Sequence, residues 1–247
     1  MKIIKKIFEN NFHFSFLGVT GSGKTYYMHQ LFKLIGAKKG KFINVFIMNM
    51  KDFHNFDFSK NQIINMKYKK GFSLKKKELC FSRPRWEIFR KYTRVYYIYE
   101  TAEKTNLFLY ELVERGKNSP LRVNIFADEL QLIDSKKFTV SEKTIGEHIV
   151  TVGRGYNLFL YYGIRTMQEI RNRTIGKNTD CKTFFFMSEM DIKDLKRDGF
   201  SLSEEEKEHV RKIQYDDGEI IREYNYIILL PGLKLKFDKN NELITSE

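Results

Sequence analysis

Phe12-His-Phe-Ser-Phe-Leu-Gly18-Val19-Thr20-Gly21-Ser22-Gly23-Lys24-Thr25 is the stretch on which the reading of this chain turns. Its second part, Gly18 to Thr25, matches G-x-x-x-x-G-K-[ST] in full. Each residue type there has its own reason. Glycines let the backbone take left-handed turns, so that successive N–H groups converge on an anion. The helix that follows presents its positive end to the same anion. Lys24 supplies a mobile cation for β- and γ-phosphate oxygens, and the Thr25 hydroxyl suits Mg2+. The context agrees: Phe12–Leu17 reads as a buried strand and Ser22–Ile35 as a helix. Lys2, Lys5 and Lys6 ahead of the apolar run superficially resemble a secretory signal. His13 and Ser15 interrupt that run, however, and it leads straight into the loop, so it reads as a strand.

Outward from the loop, apolar runs alternate with helical stretches, the pattern of a mainly parallel sheet with helices on its faces. The expected further strands are Ile43–Met48, Val123–Ala127, Leu158–Gly163 and Thr183–Met187, apolar on successive residues as strands covered on both sides should be. Thr101–Arg115 predicts a helix with a threonine cap, a buried stripe of Leu107, Tyr110 and Val113, and Gly116 as its stop. Thr144-Ile-Gly-Glu147 has the spacing of a capping box, opening a helix whose buried face is Ile145, Ile149 and Val152. Past about residue 190 the pattern weakens into a C-terminal extension. There Glu219–Leu230 and Leu233–Phe237 predict a β-hairpin turned at Pro231-Gly232. The fold class is α/β, one domain over residues 1–247.

Arg122-Val-Asn-Ile-Phe-Ala-Asp128-Glu129 delivers two acids to the C-terminal end of a buried strand, the end at which open α/β sheets bind ligands. Asp128 is the expected Mg2+ carboxylate. Glu129, one residue on, points to the other side of the strand end and is the candidate base that polarises an attacking water. The Asn-Lys-x-Asp and Asp-x-x-Gly elements of a guanine-specific enzyme are both missing, and Lys177-Asn-Thr-Asp180 has similar letters in the wrong order. ATP is therefore the expected nucleotide. After the strand Leu158–Gly163 comes Arg165-Thr-Met-Gln168, whose amide is a candidate sensor of the γ-phosphate.

Composition narrows the partners. Lys and Arg number 44 against 31 Asp and Glu, a net charge of +13, which favours an anionic partner such as nucleic acid. From Lys67 to Arg94 eleven basic residues face only Glu78 and Glu87, interleaved with Tyr68, Phe72, Phe81, Trp86, Phe89 and Tyr92. This basic window, within an insertion at about residues 51–100, suits contact with a DNA backbone, or else is a solvated loop whose aromatics belong to the core. Two cysteines, Cys80 and Cys181, make neither a disulfide framework nor a zinc site and fit a reducing, intracellular compartment. His13, His29, His54, His148 and His209 lack metal-ligand spacing. No apolar stretch approaches the roughly 20 residues that span a bilayer.

The phosphate loop, the strand into Asp128-Glu129, the run Gly153-Arg154-Gly155-Tyr156-Asn157 and the strand leading to Gln168 together resemble the HerA/FtsK superfamily of DNA-pumping ATPases. The short chain is similar to the compact genome-packaging ATPases of membrane-containing viruses. That resemblance covers residue 12 to about 190, and it implies a P-loop NTPase of the ASCE type with ATP and Mg2+ held between the subunits of a homo-oligomeric ring, a hexamer. It further implies that an arginine reaches the neighbour's γ-phosphate. Arg154 is the best match, with Arg171 and Arg173 behind it. Proline often follows the sensor glutamine in that family, whereas Glu169-Ile-Arg follows here.

The expected function is an ATP-driven translocase packaging double-stranded DNA into a preformed viral capsid in the host cytoplasm, with a capsid-vertex or viral membrane protein as further partner and a place on the virion. The alternatives are a DNA-export ATPase of the phage-assembly or conjugation type and a nucleotide-gated adaptor without sustained turnover.

Overall fold

The computed structural model describes residues 2–35, 42–49, 63–65, 94–99, 101–117, 119–133, 144–170, 174–197, 200–211, 213–216, 219–222 and 224–246. Helices run α1 Lys2–Phe8, α2 Lys24–Leu34, α3 Ala102–Gly116, α4 Ile145–Val152, α5 Thr174–Lys177, α6 Glu189–Arg197 and α7 Glu204–Arg211. The first six strands are β1 Phe14–Leu17, β2 Phe42–Met48, β3 Ile63–Asn65, β4 Arg94–Ile98, β5 Arg122–Ala127 and β6 Leu158–Ile164. The remaining six are β7 Cys181–Phe184, β8 Ile213–Asp216, β9 Glu219–Arg222, β10 Tyr226–Leu230, β11 Leu233–Phe237 and β12 Leu243–Ser246. They form two compact units, Met1–Met28 with Tyr161–Glu247 and His29–Leu160.

In the first unit the strand order is β12-β11-β10-β7-β1-β6. β1 is parallel to both neighbours, with Phe14 opposite Tyr161 on one side and Cys181 on the other. Antiparallel β10, β11 and β12 extend that sheet. The β10–β11 hairpin turns at Pro231-Gly232, where Gly232 takes φ 74, a value that favours glycine. β1 is buried along its whole length, as a strand covered on both faces must be. The core around it is aromatic: Phe8 lies 4.4 Å from Phe14, and Phe14 stacks on Tyr161 at 5.3 Å. The Tyr161 hydroxyl donates to the Phe8 carbonyl at 2.6 Å, satisfying an end carbonyl of α1. β8 and β9 pair with each other as a separate ribbon, so the expected strand Glu219–Leu230 is two strands with different partners.

In the second unit the order is β5-β2-β4-β3 and every pairing is parallel. β2 is the scaffold of this half, and its one buried polar side chain fixes the C-terminus of α2. Asn44 Nδ2 donates to the carbonyls of Phe32 (3.0 Å) and Ile35 (2.7 Å), while its Oδ1 accepts from Asn124 on β5. Arg94 on β4 adds two more bonds to the same helix end, to the carbonyls of Phe32 and Lys33, a favourable place for a cation. His29 sits under this cluster, 2.7 Å from the Tyr96 hydroxyl. Burial, with Lys33 adding to it, lowers its pKa to about 4, so the imidazole is neutral.

Several expectations are corrected. β4 was not foreseen as a strand: Arg94 closes the basic window, and the aromatic run behind it belongs to the sheet, with Tyr96 and Tyr97 buried. Arg94 therefore serves the fold. The rest of the window, including Trp86, lies outside the described residues, as do Cys80 and His54. On α3 the predicted cap forms, with Thr101 accepting from the Lys104 amide. The buried stripe differs, because Leu107 (44%) and Tyr110 (37%) are exposed while Phe108, Leu109, Leu112 and Val113 are buried. The stacking of Phe108 on Tyr97 at 4.3 Å turns that face inward. On α4 the capping box is reciprocal, with Glu147 N–H to Thr144 Oγ1 at 3.2 Å and Thr144 N–H to Glu147 Oε2 at 3.1 Å. β7 begins two residues before the expected Thr183 and ends at Phe184. Among the described residues no helix is long and apolar enough to cross a membrane.

Candidate functional site

In the first unit, β1 ends at Leu17 and the loop Gly18–Gly23 carries the chain into α2. Both neighbouring strands hold the loop's first residues. The Gly18 N–H donates to Ile164 at the end of β6 (3.3 Å), and the Val19 N–H donates to Phe186 just past β7 (2.9 Å). Gly18 has no room for a side chain. A Cβ there would come within 2.6 Å of Ser22 Oγ, 2.9 Å of Phe185 Cβ and 3.0 Å of the Phe186 carbonyl. Gly21 and Gly23 take φ 78 and 89, the left-handed turns that the motif requires. Thr20 and Gly21 form the exposed tip, Ser22 is buried, and Thr25 is half-buried in the first turn of α2. The Lys24 ammonium folds under the loop and donates to the carbonyls of Gly18 and Val19, the latter at 3.0 Å. The result is an anion cradle of backbone amides, a helix N-terminus and a cation.

Gln168 lies in the same unit, in a single 3-10 turn, Met167–Glu169, just past β6. It is exposed, and its amide lies 4.0 Å from Met190 Sδ. A residue that the sequence reading did not single out fixes this turn. Asp191 is 3% exposed; its Oδ1 accepts the Met167 N–H at 2.8 Å and its Oδ2 the Ser188 hydroxyl at 2.5 Å. The Asp191 N–H donates back to Ser188 Oγ at 3.2 Å. Ser188-Glu-Met-Asp191 has capping-box spacing, which marks the local Ser188–Asp191 pair but not the contact with Met167. Thus the segment 185–191, leaving β7, both receives the loop's Val19 amide through Phe186 and anchors the turn that carries Gln168.

In the second unit, β5 brings its two acids to its C-terminal end. The Asp128 N–H donates to the Ile47 carbonyl of β2 at 3.0 Å, and its side chain is buried. Glu129 is half-buried in extended backbone (φ −128, ψ 138) and opens the 3-10 turn Leu130–Leu132. Arg154 belongs to the same unit, in the 3-10 turn Gly153–Tyr156 that follows α4. It is exposed, beside Gly155, where an added Cβ would meet open space. Asn157 closes the turn with φ 55. The structure thus groups the phosphate loop with Gln168 in one unit, and Asp128 and Glu129 with Arg154 in the other. Arg171 and Arg173 lie outside the described residues.

Thr25 in the first unit offers a hydroxyl and Asp128 in the second a carboxylate, each a hard oxygen of the kind Mg2+ takes. Among the described residues no group of three or more His, Cys, Asp or Glu side chains gathers into a metal cluster. Mg2+ needs no such cluster, since it takes one or two protein oxygens and completes its shell from phosphate and water.

A mainly parallel sheet, a glycine-lined loop from its strand β1 into α2, and an acid-tipped strand β5 define the P-loop NTPase fold. Among solved structures, the chain is similar to the genome packaging NTPase B204 of Sulfolobus turreted icosahedral virus 2 in complex with ATP-gammaS, at 13% identity and a TM-score of 0.53, over 95% of this chain and 96% of that one. It is also similar to B204, the DNA-packaging ATPase of Sulfolobus turreted icosahedral virus, at 14% identity and a TM-score of 0.55, over 96% of this chain and 97% of that one. No family model matches the sequence. No curated protein matches it either.

Proposed function

We propose that this chain is an ATP-driven DNA translocase that packages a viral genome into a preformed capsid. The observation that carries the reading is the phosphate cradle of Gly18–Thr25, set in a fold shared end to end with two viral genome-packaging ATPases. Lys24 and the loop amides bind the β- and γ-phosphates, and Thr25 and Asp128 hold Mg2+. When bound, Mg2+ neutralises charge on the phosphate oxygens. Glu129 accepts a proton from the attacking water, and Gln168 responds to the presence of the γ-phosphate. Arg154, on a neighbouring subunit of a hexameric ring, stabilises charge on the transferred phosphoryl group. The net charge of +13 supports a nucleic acid as the moved polymer. A partner at the capsid vertex or in the viral membrane and a site of action in the host cytoplasm follow from the same reading.

The test is steady-state phosphate release by the full chain, with and without duplex DNA and with Mg2+ present or chelated. Mg2+-dependent hydrolysis that rises severalfold with DNA is expected. Hydrolysis confined to a single turnover and indifferent to DNA would replace the pump with a nucleotide-gated adaptor.

A further inference from the structure

Tyr224 lies with its ring directly on the phosphate loop. A Cβ at Gly23 would come within 2.6 Å of Tyr224 Cδ1, 3.0 Å of Cγ and 3.2 Å of Cε1, so ring and loop backbone are in van der Waals contact. Gly23 is thereby closed to side chains twice, by its φ of 89 and by this ring. Yet Tyr224 is not a core residue, because 44% of it remains exposed. It covers the loop with one part of its surface and offers the rest to solvent.

The ring is held there. Next to it, Asn225 is buried; its Nδ2 donates to the His209 carbonyl at 3.3 Å and its Oδ1 accepts the Lys239 N–H at 3.0 Å. One residue further, Tyr226 packs on Tyr27 of α2 at 4.4 Å and stacks on Phe237 of β11 at 5.2 Å. Those anchors tie the chain leaving Tyr224 to the helix that opens with Lys24 and Thr25. Tyr26, Tyr110 and Tyr224 have exposed aromatic side chains. Tyr26 directly follows the loop motif, and Tyr224 touches it. A π-face beside an anion cradle is suited to a ligand that is anionic at one end and flat at the other.

We propose that Tyr224 is the base-binding residue of this site, stacking on the heterocycle of a nucleoside triphosphate whose phosphates occupy Gly18–Thr25. The proposal rests on the reading of that loop as the nucleotide site and adds what grips the nucleotide's other end. Stacking on a ring does not discriminate strongly among bases, since every base has a π-face. Adenine and guanine nucleotides therefore bind with similar affinity.

The experiment is calorimetric titration of the full chain with ATP-gammaS, GTP-gammaS and inorganic tripolyphosphate, each with Mg2+. Tyr224→Ala is expected to weaken both nucleotides by roughly 5- to 100-fold, the range for loss of one base–aromatic stack. Its tripolyphosphate affinity stays at the wild-type value, which also shows that the loop is intact, and Tyr224→Phe keeps all three affinities. Equal weakening of tripolyphosphate would mean that the ring only props the loop, and unchanged nucleotide affinity would mean that the base lies elsewhere; either overturns the assignment. If the wild type binds none of the three, the phosphate-loop reading itself fails. If it binds all three and Lys24→Ala abolishes them, only the Tyr224 assignment is under test.

Discussion

Glu129→Gln is expected to lower ATP turnover by about 10²–10⁴-fold, the contribution of a positioned general base, with nucleotide affinity unchanged. The substitution keeps the shape of the side chain and removes its ability to accept a proton. Glu129 makes no side-chain cap to the 3-10 turn it opens, and the turn is held by backbone bonds from Leu132 to Glu129 and from Ile133 to Leu130, both 3.0 Å. Asp128, the buried neighbour, retains its place through its own amide on Ile47. Phosphate release measured beside calorimetric nucleotide binding separates the two effects. Turnover at the native rate removes Glu129 from the catalytic assignment. Loss of binding together with turnover would make it a structural acid.

Arg154→Ala is expected to be at least as severe, about 10³–10⁵-fold in kcat, the range found when an arginine finger is lost. The turn carrying it should survive, because its bonds are made by backbone: Asn157 donates to the carbonyls of Arg154 and Gly153. An unchanged thermal midpoint alongside lost turnover is therefore the expected pair of results. Mixing this variant with the equally inactive Glu129→Gln gives the sharper readout. In a ring whose sites are shared between subunits, some mixed interfaces combine an intact base with an intact finger, so activity partly returns. No recovery in the mixture would assign Arg154 to holding its own subunit together.

The phosphate loop was legible because its pattern is a set of backbone demands. Gly18 has no room for a Cβ, and Gly21 and Gly23 take positive φ, which favours glycine. β5 and the α4 capping box were legible for similar reasons, an unbroken apolar run in one case and two reciprocal bonds in the other. β4 was hidden because its tyrosines continue a basic, aromatic-rich window, and composition alone does not tell a sheet tyrosine from a surface one. The face of α3 was misread because two overlapping stripes share Val113. Packing of Phe108 against Tyr97 chooses between them, and that partner is remote in sequence. β7 was placed two residues late because its register is set by β1, with Leu17 opposite Phe184. The next residues then leave the sheet to brace the phosphate loop. Asp191 and Tyr224 illustrate the same limit at the site. Each acts on a distant backbone, the Met167 amide in one case and Gly23 in the other, and neither contact leaves a local pattern.

The most direct test of hydrolysis at this loop is a crystal structure with a non-hydrolysable ATP analogue and Mg2+. The expected result is a γ-phosphate cradled by the Gly18–Thr25 amides, the Lys24 ammonium turned from the Gly18 and Val19 carbonyls onto its oxygens, and the Glu129 carboxylate facing the γ-phosphorus across one water. A nucleotide bound away from that loop, or Glu129 directed away from the terminal phosphate, would contradict it.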